Sequence, residues 1–221
     1  MRAAVKMESI EDRLLALGRT AAGQAERPLF HELNPDRDYS PILKSPPQNP
    51  RPASVLIPVL NRPQGHTVLF TVRSPTMPSH AGQISFPGGG PKDGDQGPVE
   101  TALREASEEV GLPADAVEVA SVFGEHHGGL GYRVTPVVGI VRTPPEIRIC
   151  TREVDEAFEV PLSFLTDLGN HIVIDKAFRG IDYRMYAIPY DDAGTERHIW
   201  GLTAGILHTL ALAWNGQPVA P

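Results

Sequence analysis

Hydrophobic positions along the chain follow two different periods, which predicts strands and helices within one domain. Short apolar runs between turn residues predict strands at 54–60, 67–73, 117–123, 133–142, 171–175 and 183–188. Apolar residues at helical spacing predict helices within 6–22, at 98–110 and at 200–214, and the stretch 153–165 combines a turn or strand with the start of a helix. Strands interspersed with a few helices indicate a mixed α/β domain.

Proline and glycine divide the chain into two parts. The stretch from Pro28 to Pro52 contains seven prolines and has little periodicity. It therefore predicts an extended arm on the surface, so that residues 1–50 form a helix plus a proline-rich arm and residues 51–221 form the main domain with its terminal helix. Within that domain the turn residues NRPQG predict a hairpin, and Pro58 places the first strand at an edge or a bulge. The arm could cover an edge strand, contribute to a dimer or hang loose.

Composition limits the classes of partner. The 221 residues carry 20 Lys plus Arg against 27 Asp plus Glu, a formal net charge of −7, which argues against nonspecific nucleic-acid binding. A single cysteine, Cys150, excludes an internal disulfide and favours a small buried apolar role over a nucleophile. Because no apolar run approaches the roughly 20 residues of a spanning helix and no signal-peptide core is present, we expect a cytoplasmic protein without a membrane partner.

The helix at 98–112 carries an unusual group of acids. One face is an apolar stripe of Val99, Ala102, Leu103, Ala106 and Val110. Relative to Glu105, Glu109 lies about 40° to one side and Glu108 about 60° to the other, so three carboxylates share one exposed edge near the helix's carboxyl end. A solvated acidic face is the simpler alternative. The preceding loop FPGGGPKDG favours a bound hard cation such as Mg²⁺, which would relieve the repulsion between the carboxylates.

Residues 104–112, which read REASEEVGL, resemble the end of the signature box of the Nudix hydrolases. The resemblance covers the stretch from Gly89 to Leu112. The usual box has Glu eight residues before the Arg. Here that position is Gln96, with Asp95 beside it.

A second motif is similar to that of the coenzyme A pyrophosphatase branch of this family. It comprises Thr71-Val72-Arg73-Ser74, His80, Gly82-Gln83 and Phe86-Pro87-Gly88-Gly89, and further similarity lies at 131–139, 158–162 and 199–203. The branch tends to carry Asp at a position like that of Asp95. It usually has a basic residue where Pro78 stands, so this chain lacks one cation that would favour a 3′-phosphate.

The resemblance implies a fold and a metal site. The fold would be a Nudix-like α/β/α sandwich with a mixed β-sheet and a loop–helix–loop metal site. Mg²⁺ or Mn²⁺ would be held mainly by Glu105 and Glu109, with the carbonyl of Gly89 or Gly90. Glu108 would hold a second ion or act through water.

The resemblance also implies roles in catalysis and substrate binding. Arg104 would steer Glu105, although a plain helical ion pair with Glu108 is the alternative. The proton acceptor would be a box glutamate such as Glu108 or a loop acid, for which Glu153 is the candidate. The implied substrate-binding residues are Arg73, Ser74, Gln83 and Gly88.

Two further sets of side chains have simpler interpretations. Arg73 could instead pair with an acid on a neighbouring strand. His126 and His127 are adjacent in a predicted loop, and adjacent side chains on a strand point in opposite directions, which argues against a two-histidine metal site. We expect them to be solvated or, alternatively, to contact substrate.

The leading hypothesis is a divalent-metal-dependent hydrolase that cleaves coenzyme A or acyl-CoA into 3′,5′-ADP and a 4′-phosphopantetheine derivative. The alternatives are a Nudix pyrophosphatase for another nucleoside diphosphate derivative such as ADP-ribose, and a Nudix module that senses a nucleotide without cleaving it. The expected partner is a small nucleotide, and a homodimer is left open.

Overall fold

The computed structural model describes residues 9–35, 50–77, 81–127, 131–178 and 180–218. The helices are α1 (Ile10–Leu17), α2 (Ala21–Gln24), α3 (Leu29–Leu33), α4 (Pro98–Val110), α5 (Leu162–Leu165) and α6 (Gly201–Trp214). The strands are β1 (Arg51–Arg62), β2 (Gly65–Arg73), β3 (Ile84–Ser85), β4 (Gly88–Gly89), β5 (Glu118–Val122), β6 (His126–His127), β7 (Tyr132–Val141), β8 (Val154–Pro161), β9 (Ile172–Phe178), β10 (Ile181–Asp192) and β11 (Thr195–Trp200). Within these ranges no helix has both the length and the apolar character needed to cross a membrane.

The larger sheet is mixed. Its strand order is β3-β2-β1-β7-β5, while β4 pairs with β1, β6 with β7 and β8 with β2. β1 and β7 run parallel, whereas β1 and β2 form the predicted antiparallel hairpin, closed by a two-residue turn between Arg62 and Gly65. A second sheet has the order β11-β10-β9. Its third strand, β11, was not anticipated from the sequence.

The prediction that Pro58 marks an edge or a bulge is wrong, because β1 is central in the sheet. Along one side of β1, Pro58 pairs in parallel register with Gly139. On the other side β4 pairs with residues 54–55 and β2 with residues 59–62. The Leu56 amide points to this second side, where it donates to Pro87 O at 2.9 Å. Amides two residues apart on a strand point to the same side, so the nitrogen of Pro58 faces the same side as the Leu56 amide. There it lies between the segments paired with β4 and with β2, where no strand hydrogen bond needs its missing N–H.

The two faces of the larger sheet pack against different helices, which confirms the predicted α/β/α architecture. On one face α4 covers a small core that includes Leu56, Leu60, Ala102, Ala106 and Val110. On the other face the larger core includes Leu14 and Leu17 of α1 and Ile206, Leu207 and Leu210 of α6. The small sheet packs against α6 through β10 and β11. Alternate residues of β1 enter the two cores, as the period of a strand requires.

The helix α4 has the predicted limits. Pro98 stands in its first turn, where a missing N–H costs nothing, and Gly111 ends it with φ of 66°, a left-handed conformation that favours glycine. The terminal helix α6 also lies where its apolar spacing predicts.

The amino-terminal residues are more structured than the sequence suggests. Within the predicted helix at 6–22, α1 begins at Ile10 after a capping box at Ser9, and residues 6–8 lie outside the described residues. Within the predicted extended arm, α3 forms at Leu29–Leu33, where the Glu32 amide donates to Pro28 O at 3.1 Å. Residues 36–49 of the arm are outside the described ranges. The division of the chain at residue 50 stays a prediction.

Candidate metal and active site

A pair of glycines brings backbone against a carboxylate at one end of the larger sheet. Gly88 and Gly89 form β4 and pair with Val55 and Ser54 near the start of β1. A Cβ at Gly88 would lie 2.4 Å from Ser54 O, and one at Gly89 would lie 2.8 Å from both carboxylate oxygens of Glu105. Both distances are shorter than any ordinary van der Waals contact. The glycine-rich loop is therefore required by the close approach of backbone to α4.

Two of the three clustered carboxylates near the end of α4 are buried, which corrects the expectation of an exposed acidic edge. Glu105 is 7% exposed and Glu109 is 4% exposed, whereas Glu108 faces solvent. The reason is tertiary, because β4 packs against this edge of α4. A solvated acidic face is thus excluded for Glu105 and Glu109. Buried charges are costly unless they are paired or bind a metal.

The environment of Glu109 shows which other charges reach this site. Burial raises the pKa of Glu109 to about 7, and the nearby Glu105 carboxylate adds to the rise. The Gly88 amide, which donates to Glu109 Oε2 at 3.3 Å, lowers the pKa, and so does the charge of Arg73. The charge of Glu153 raises the pKa of Glu109. Arg73 and Glu153, both predicted from the sequence, therefore act electrostatically on the same buried carboxylate.

Arg104 contacts both glutamates that the sequence associates with it. Its Nη1 donates to Glu105 Oε1 at 2.6 Å and to Glu108 Oε2 at 3.2 Å. Its Nη2 donates to the Gly90 carbonyl at 3.0 Å. The steering contact and the helical ion pair thus coexist. Since the Gly90 carbonyl already accepts from Arg104, Gly89 is the better candidate for a carbonyl ligand.

Asp95 is a member of this site to which the sequence assigned no role. Its carboxylate accepts hydrogen bonds from Arg104 Nε at 3.0 Å and Nη2 at 2.9 Å. These bonds and a third from the Lys92 amide hold the pKa of Asp95 well below its usual range. Gln96, at the usual position of the box acid, is exposed instead. The only signal in the sequence was the spacing of Asp95 from Arg104.

The predicted substrate-binding residues lie beside the glycine strand. The Arg73 amide donates to Gln83 O at 3.0 Å, so β2 and the loop before β3 hold these two residues together. Ser74 is buried, and its Oγ lies 2.8 Å from Thr76 Oγ1. Arg73 Nε is shielded from solvent and has no hydrogen-bond partner, and no carboxylate lies within 4.0 Å of this guanidinium within the described ranges. The alternative of an ion pair for Arg73 is therefore not seen.

The segment after β7 places Glu153 at the same end of the sheet. The Cys150 amide donates to Glu109 O at 2.8 Å, and the Ser74 amide donates to Glu153 O at 2.9 Å. These two bonds connect the end of α4 to the end of β2 through residues 150–153. Glu153 itself is exposed. Its carboxylate is thus accessible to water while its backbone is anchored.

The structure places the two histidines on a strand, and not in the predicted solvated loop. His126 is 0% exposed and its Nε2 lies 2.8 Å from Thr209 Oγ1 of α6, so it is a core residue. His127 is half-buried on the short strand β6. The loop prediction failed because nothing local indicates that β6 is covered by α6. Pro78 and His80 lie outside the described residues.

The donor set at α4 fits a hard divalent cation. Mg²⁺ and Mn²⁺ prefer carboxylate and carbonyl oxygens, which Glu105, Glu109 and the adjacent glycine strand offer. A second group, Glu26, Glu125 and His127, has ligand atoms within 4.8 Å of one another. There Glu125 Oε1 already lies 3.1 Å from Arg133 Nε.

Comparison with known proteins shows which sequences and structures are similar to this chain. The model of the NUDIX domain family matches residues 50–172. The protein called uncharacterized Nudix hydrolase NudL in Shigella flexneri serotype 5b is 42% identical over 180 residues, which are 80% of this chain and 90% of that protein. Its Escherichia coli K12 counterpart is 42% identical over 172 residues, 77% and 86% of the two chains. The solved structure of RenU, a Nudix hydrolase from M. smegmatis, is 26% identical with a TM-score of 0.45 and covers 54% of this chain and 75% of its own.

Proposed function

The chain belongs to the Nudix hydrolase family, and from this premise we propose that it hydrolyses the diphosphate linkage of coenzyme A or acyl-CoA. The products would be 3′,5′-ADP and a 4′-phosphopantetheine derivative. The observation that carries the proposal is the buried pair Glu105 and Glu109 beside the glycine strand. The Arg73 guanidinium, which has no carboxylate partner among the described residues, acts electrostatically on Glu109. The choice of coenzyme A rests on the motif at 71–89 and the segments downstream that resemble the coenzyme A branch.

The proposed chemistry starts from the charge of the substrate. A diphosphate is a poor electrophile because its oxygens repel a nucleophile, and a bound Mg²⁺ or Mn²⁺ would neutralise that charge. Glu105, Glu109 and the Gly89 carbonyl would hold the cation, and Arg104 would orient Glu105 through the 2.6 Å hydrogen bond. Arg73 would bind a phosphate oxygen, since its guanidinium has no carboxylate partner among the described residues. Ser74, Gln83 and Gly88 would line the substrate's path.

Two acids are candidates to accept the proton of the attacking water. Glu153 is exposed and close enough to influence Glu109. Glu108 is also exposed, but Lys92 Nζ at 2.7 Å and Arg104 keep its pKa below the usual value, which makes it a weaker base. We therefore favour Glu153 as the general base, with Glu108 acting on a second cation or through water.

The experiment that tests the proposal is product identification by mass spectrometry after incubation of the protein with coenzyme A and Mg²⁺ in ¹⁸O-water. The expected result is 3′,5′-ADP and 4′-phosphopantetheine, one of them carrying a single ¹⁸O, which identifies the phosphorus attacked. Calorimetric binding of coenzyme A without any product over hours would overturn the enzymatic proposal and support a nucleotide-sensing module.

A second substrate class is favoured by one residue. Pro78 stands where the coenzyme A branch usually has a basic residue, which weakens the basis for recognition of a 3′-phosphate. A panel of coenzyme A, 3′-dephospho-CoA and ADP-ribose separates the two candidates. The proposal expects the highest kcat/KM for coenzyme A, whereas a preference for ADP-ribose would replace it with a different Nudix specificity. The cytoplasmic location and a homodimer stay predictions.

Substitution of Glu109 tests the cation site directly. Glu109→Gln keeps the shape of the buried side chain but removes its charge, so we expect kcat to fall at least about 100-fold. The melting temperature of the metal-free protein should not fall, because a buried ionised group is lost. Glu100→Gln, on the first turn of the same helix and outside the cluster, is the matched control. Unchanged turnover in Glu109→Gln would remove this residue from the site.

A further inference from the structure

We propose that His171 and His208 form a second metal-binding site, which takes an ion that prefers imidazole nitrogen, such as Zn²⁺ or Cu²⁺. His208 lies on α6, and His171 is the residue just before β9. α6 packs in the larger core, whereas the glutamate pair lies on α4, which covers the opposite face of the larger sheet. The inference does not depend on the proposed function, because neither histidine belongs to the candidate active site.

The two side chains approach each other through the same ring nitrogen. His208 Nδ1 lies 3.3 Å from His171 Nδ1, and the ring planes are inclined by 52°. Zinc–nitrogen bonds are about 2.0–2.1 Å long, so one ion bound to both nitrogens at this separation would have an N–Zn–N angle of about 104–111°. That range includes the angle of about 109° in a tetrahedral site. The spacing of the two nitrogens is thus suited to a shared ion.

A backbone hydrogen bond determines which nitrogen of His171 can bind a metal. His171 Nε2 lies 3.0 Å from Leu165 O. A carbonyl oxygen only accepts, so Nε2 carries the proton of the neutral ring, and Nδ1 has an unprotonated lone pair. Histidines that ligate metals almost always donate their other N–H to a group of this kind. The Leu165 carbonyl therefore selects the tautomer that a metal ligand needs.

Both rings are mainly neutral near pH 7, as metal ligands must be. Burial is the main cause of the lowered pKa of His171. The pKa of His208 is lowered to about 4, mainly by burial and in part by the charges of His171 and Arg27. The Tyr186 ring stacks on His208 with the ring centroids 4.2 Å apart, which shields one face of the imidazole. Because a proton and a metal ion compete for the same lone pair, the low pKa leaves the nitrogens available to a metal.

The backbone of both histidines is held in place by other contacts. His208 is in the middle of α6, and His171 follows a short 3₁₀ turn at Leu168–Asn170. The His171 amide donates to Leu168 O at 3.2 Å, and Asn215 Nδ2, at the end of α6, donates to Thr166 O at 2.8 Å. The segment before β9 is thus connected to α6 independently of the two rings. A site on such anchored elements is positioned more precisely than one on a loose loop.

The expected ion differs from that of the glutamate site. Imidazole nitrogen suits Zn²⁺, Cu²⁺ and Ni²⁺, whereas carboxylate and carbonyl oxygens suit Mg²⁺ and Mn²⁺. Both histidines are half-buried, so water can complete the coordination of the ion. Asp167 is exposed and its charge acts on His171, so its carboxylate would attract the cation and accept from a bound water. A bound ion would join the start of β9 to α6.

The first test is thermal unfolding of the untagged protein in Zn²⁺ and in a zinc-selective chelator. Both samples contain excess Mg²⁺, which competes for the carboxylates but not for imidazole. An ion that binds only the folded protein stabilises it. The melting temperature of the wild type should therefore rise by roughly 5 °C or more at a Zn²⁺ concentration about 100 times the dissociation constant.

Two variants and a matched control assign this rise to the histidine pair. His171→Gln and His208→Gln should each lose most of the rise and should weaken Zn²⁺ binding at least about 10-fold in calorimetric titrations. Their melting temperatures in chelator show whether they fold. His198→Gln, at an exposed position of β11, should keep the wild-type rise. A wild-type rise in both pair variants would overturn the inference, and so would the absence of any rise in the wild type.

The second test identifies the ligands from the paramagnetic resonance spectrum of bound Cu²⁺. One equivalent of Cu²⁺ in the wild type should show coupling to two imidazole nitrogens, and in His208→Gln coupling to one. Coupling to two nitrogens that persists in both His171→Gln and His208→Gln would place the ion elsewhere and overturn the inference. No substrate is present in either test, so a failure of this metal site would leave the proposed hydrolysis unaffected.

Discussion

At the scale of single residues, the site depends on two glycines as much as on its charged side chains. Gly89 leaves room for the Glu105 carboxylate, and Gly88 lets its amide donate to Glu109. Any side chain at Gly89 would occupy the space where Glu105 now lies. Because Glu105 is buried, its carboxylate has little room to move aside. The glycine pair therefore determines the position of the acids as directly as Arg104 does.

Alanine at two adjacent glycines tests this dependence. In Gly89→Ala the new Cβ would lie 2.7 Å from Glu105 Cδ, so we expect weaker Mn²⁺ binding and at least about a 10-fold loss of kcat. In Gly90→Ala the Cβ would lie 3.9 Å from Pro52 O, an ordinary contact, so activity should stay near wild type. Equal losses in both variants, measured by steady-state kinetics, would contradict the explanation.

At the scale of the element, α4 has an apolar face that packs in the core and, next to it, a face that carries the candidate metal-binding glutamates. Ala102, Ala106 and Val110 bury one stripe against the sheet, and Glu105 and Glu109 line the neighbouring stripe. The apolar stripe fixes the rotation of the helix, and this rotation directs the acids at β4. Gly111 then ends the helix in a left-handed conformation, and the following chain returns so that the Arg148 amide donates to Val110 O at 3.0 Å.

Substitution of the terminating glycine should therefore affect stability. In Gly111→Ala the residue keeps φ near 66° at a cost of about 1–2 kcal/mol, and the added Cβ lies 3.2 Å from Arg148 O. We expect the free energy of unfolding in urea to fall by about that amount. Ser107→Ala, on an exposed position of the same helix, is the control and should change stability by less than about 0.5 kcal/mol. An unchanged urea midpoint in Gly111→Ala would contradict a strained terminus.

At the scale of the molecule, a buried polar network joins the amino-terminal residues to the carboxyl-terminal helix. Arg27, 2% exposed, donates to Glu32 through Nε at 2.7 Å and Nη2 at 2.5 Å. Its Nη1 donates to Thr209 Oγ1 at 3.1 Å, and the same hydroxyl contacts His126. Residues far apart in the chain thus share one buried set of hydrogen bonds. Breaking a buried charged network is costly, so residues 27–32 are part of the folded unit.

The network predicts a loss of stability in acid. The pKa of His126 is lowered to about 4, mainly by burial and in part by the charges of Arg27 and His127. The hydrogen bond to the Gly124 carbonyl acts in the opposite direction. The unfolded chain, with an ordinary pKa near 6.5, binds the proton more readily. The free energy of unfolding should therefore decrease as pH falls below about 6.5, by up to about 3 kcal/mol at pH 4.

The measurement is urea denaturation at pH 7.5 and pH 4.5. His126→Gln should be less stable than wild type at pH 7.5 but should lose less stability between the two pH values. The remaining loss would include His208, whose pKa is also lowered to about 4 by burial. His198→Gln, at an exposed position, should keep the wild-type difference. A wild-type pH dependence in His126→Gln would exclude this histidine as a source.

The amino-acid sequence by itself determined what depends on local period and local turns. The limits of α4 followed from its apolar stripe, Pro98 and Gly111, and the β1–β2 hairpin followed from its turn residues. The identity of the acidic cluster was also local, because residues three and four apart on a helix share an edge. These features involve neighbours in the chain, so one sequence contains enough information to predict them.

Only the tertiary structure decided which polar groups are buried. Glu105 and Glu109 became buried because the separate strand β4 packs over them, and His126 became buried because α6 packs over it. Pro58 is tolerated in a central strand because two partners leave a gap beside it, and Asp95 rather than Gln96 faces Arg104 because of the turn at residues 92–95. Burial and hydrogen-bond pairing depend on contacts between separate segments, and the local pattern of residues does not specify those contacts.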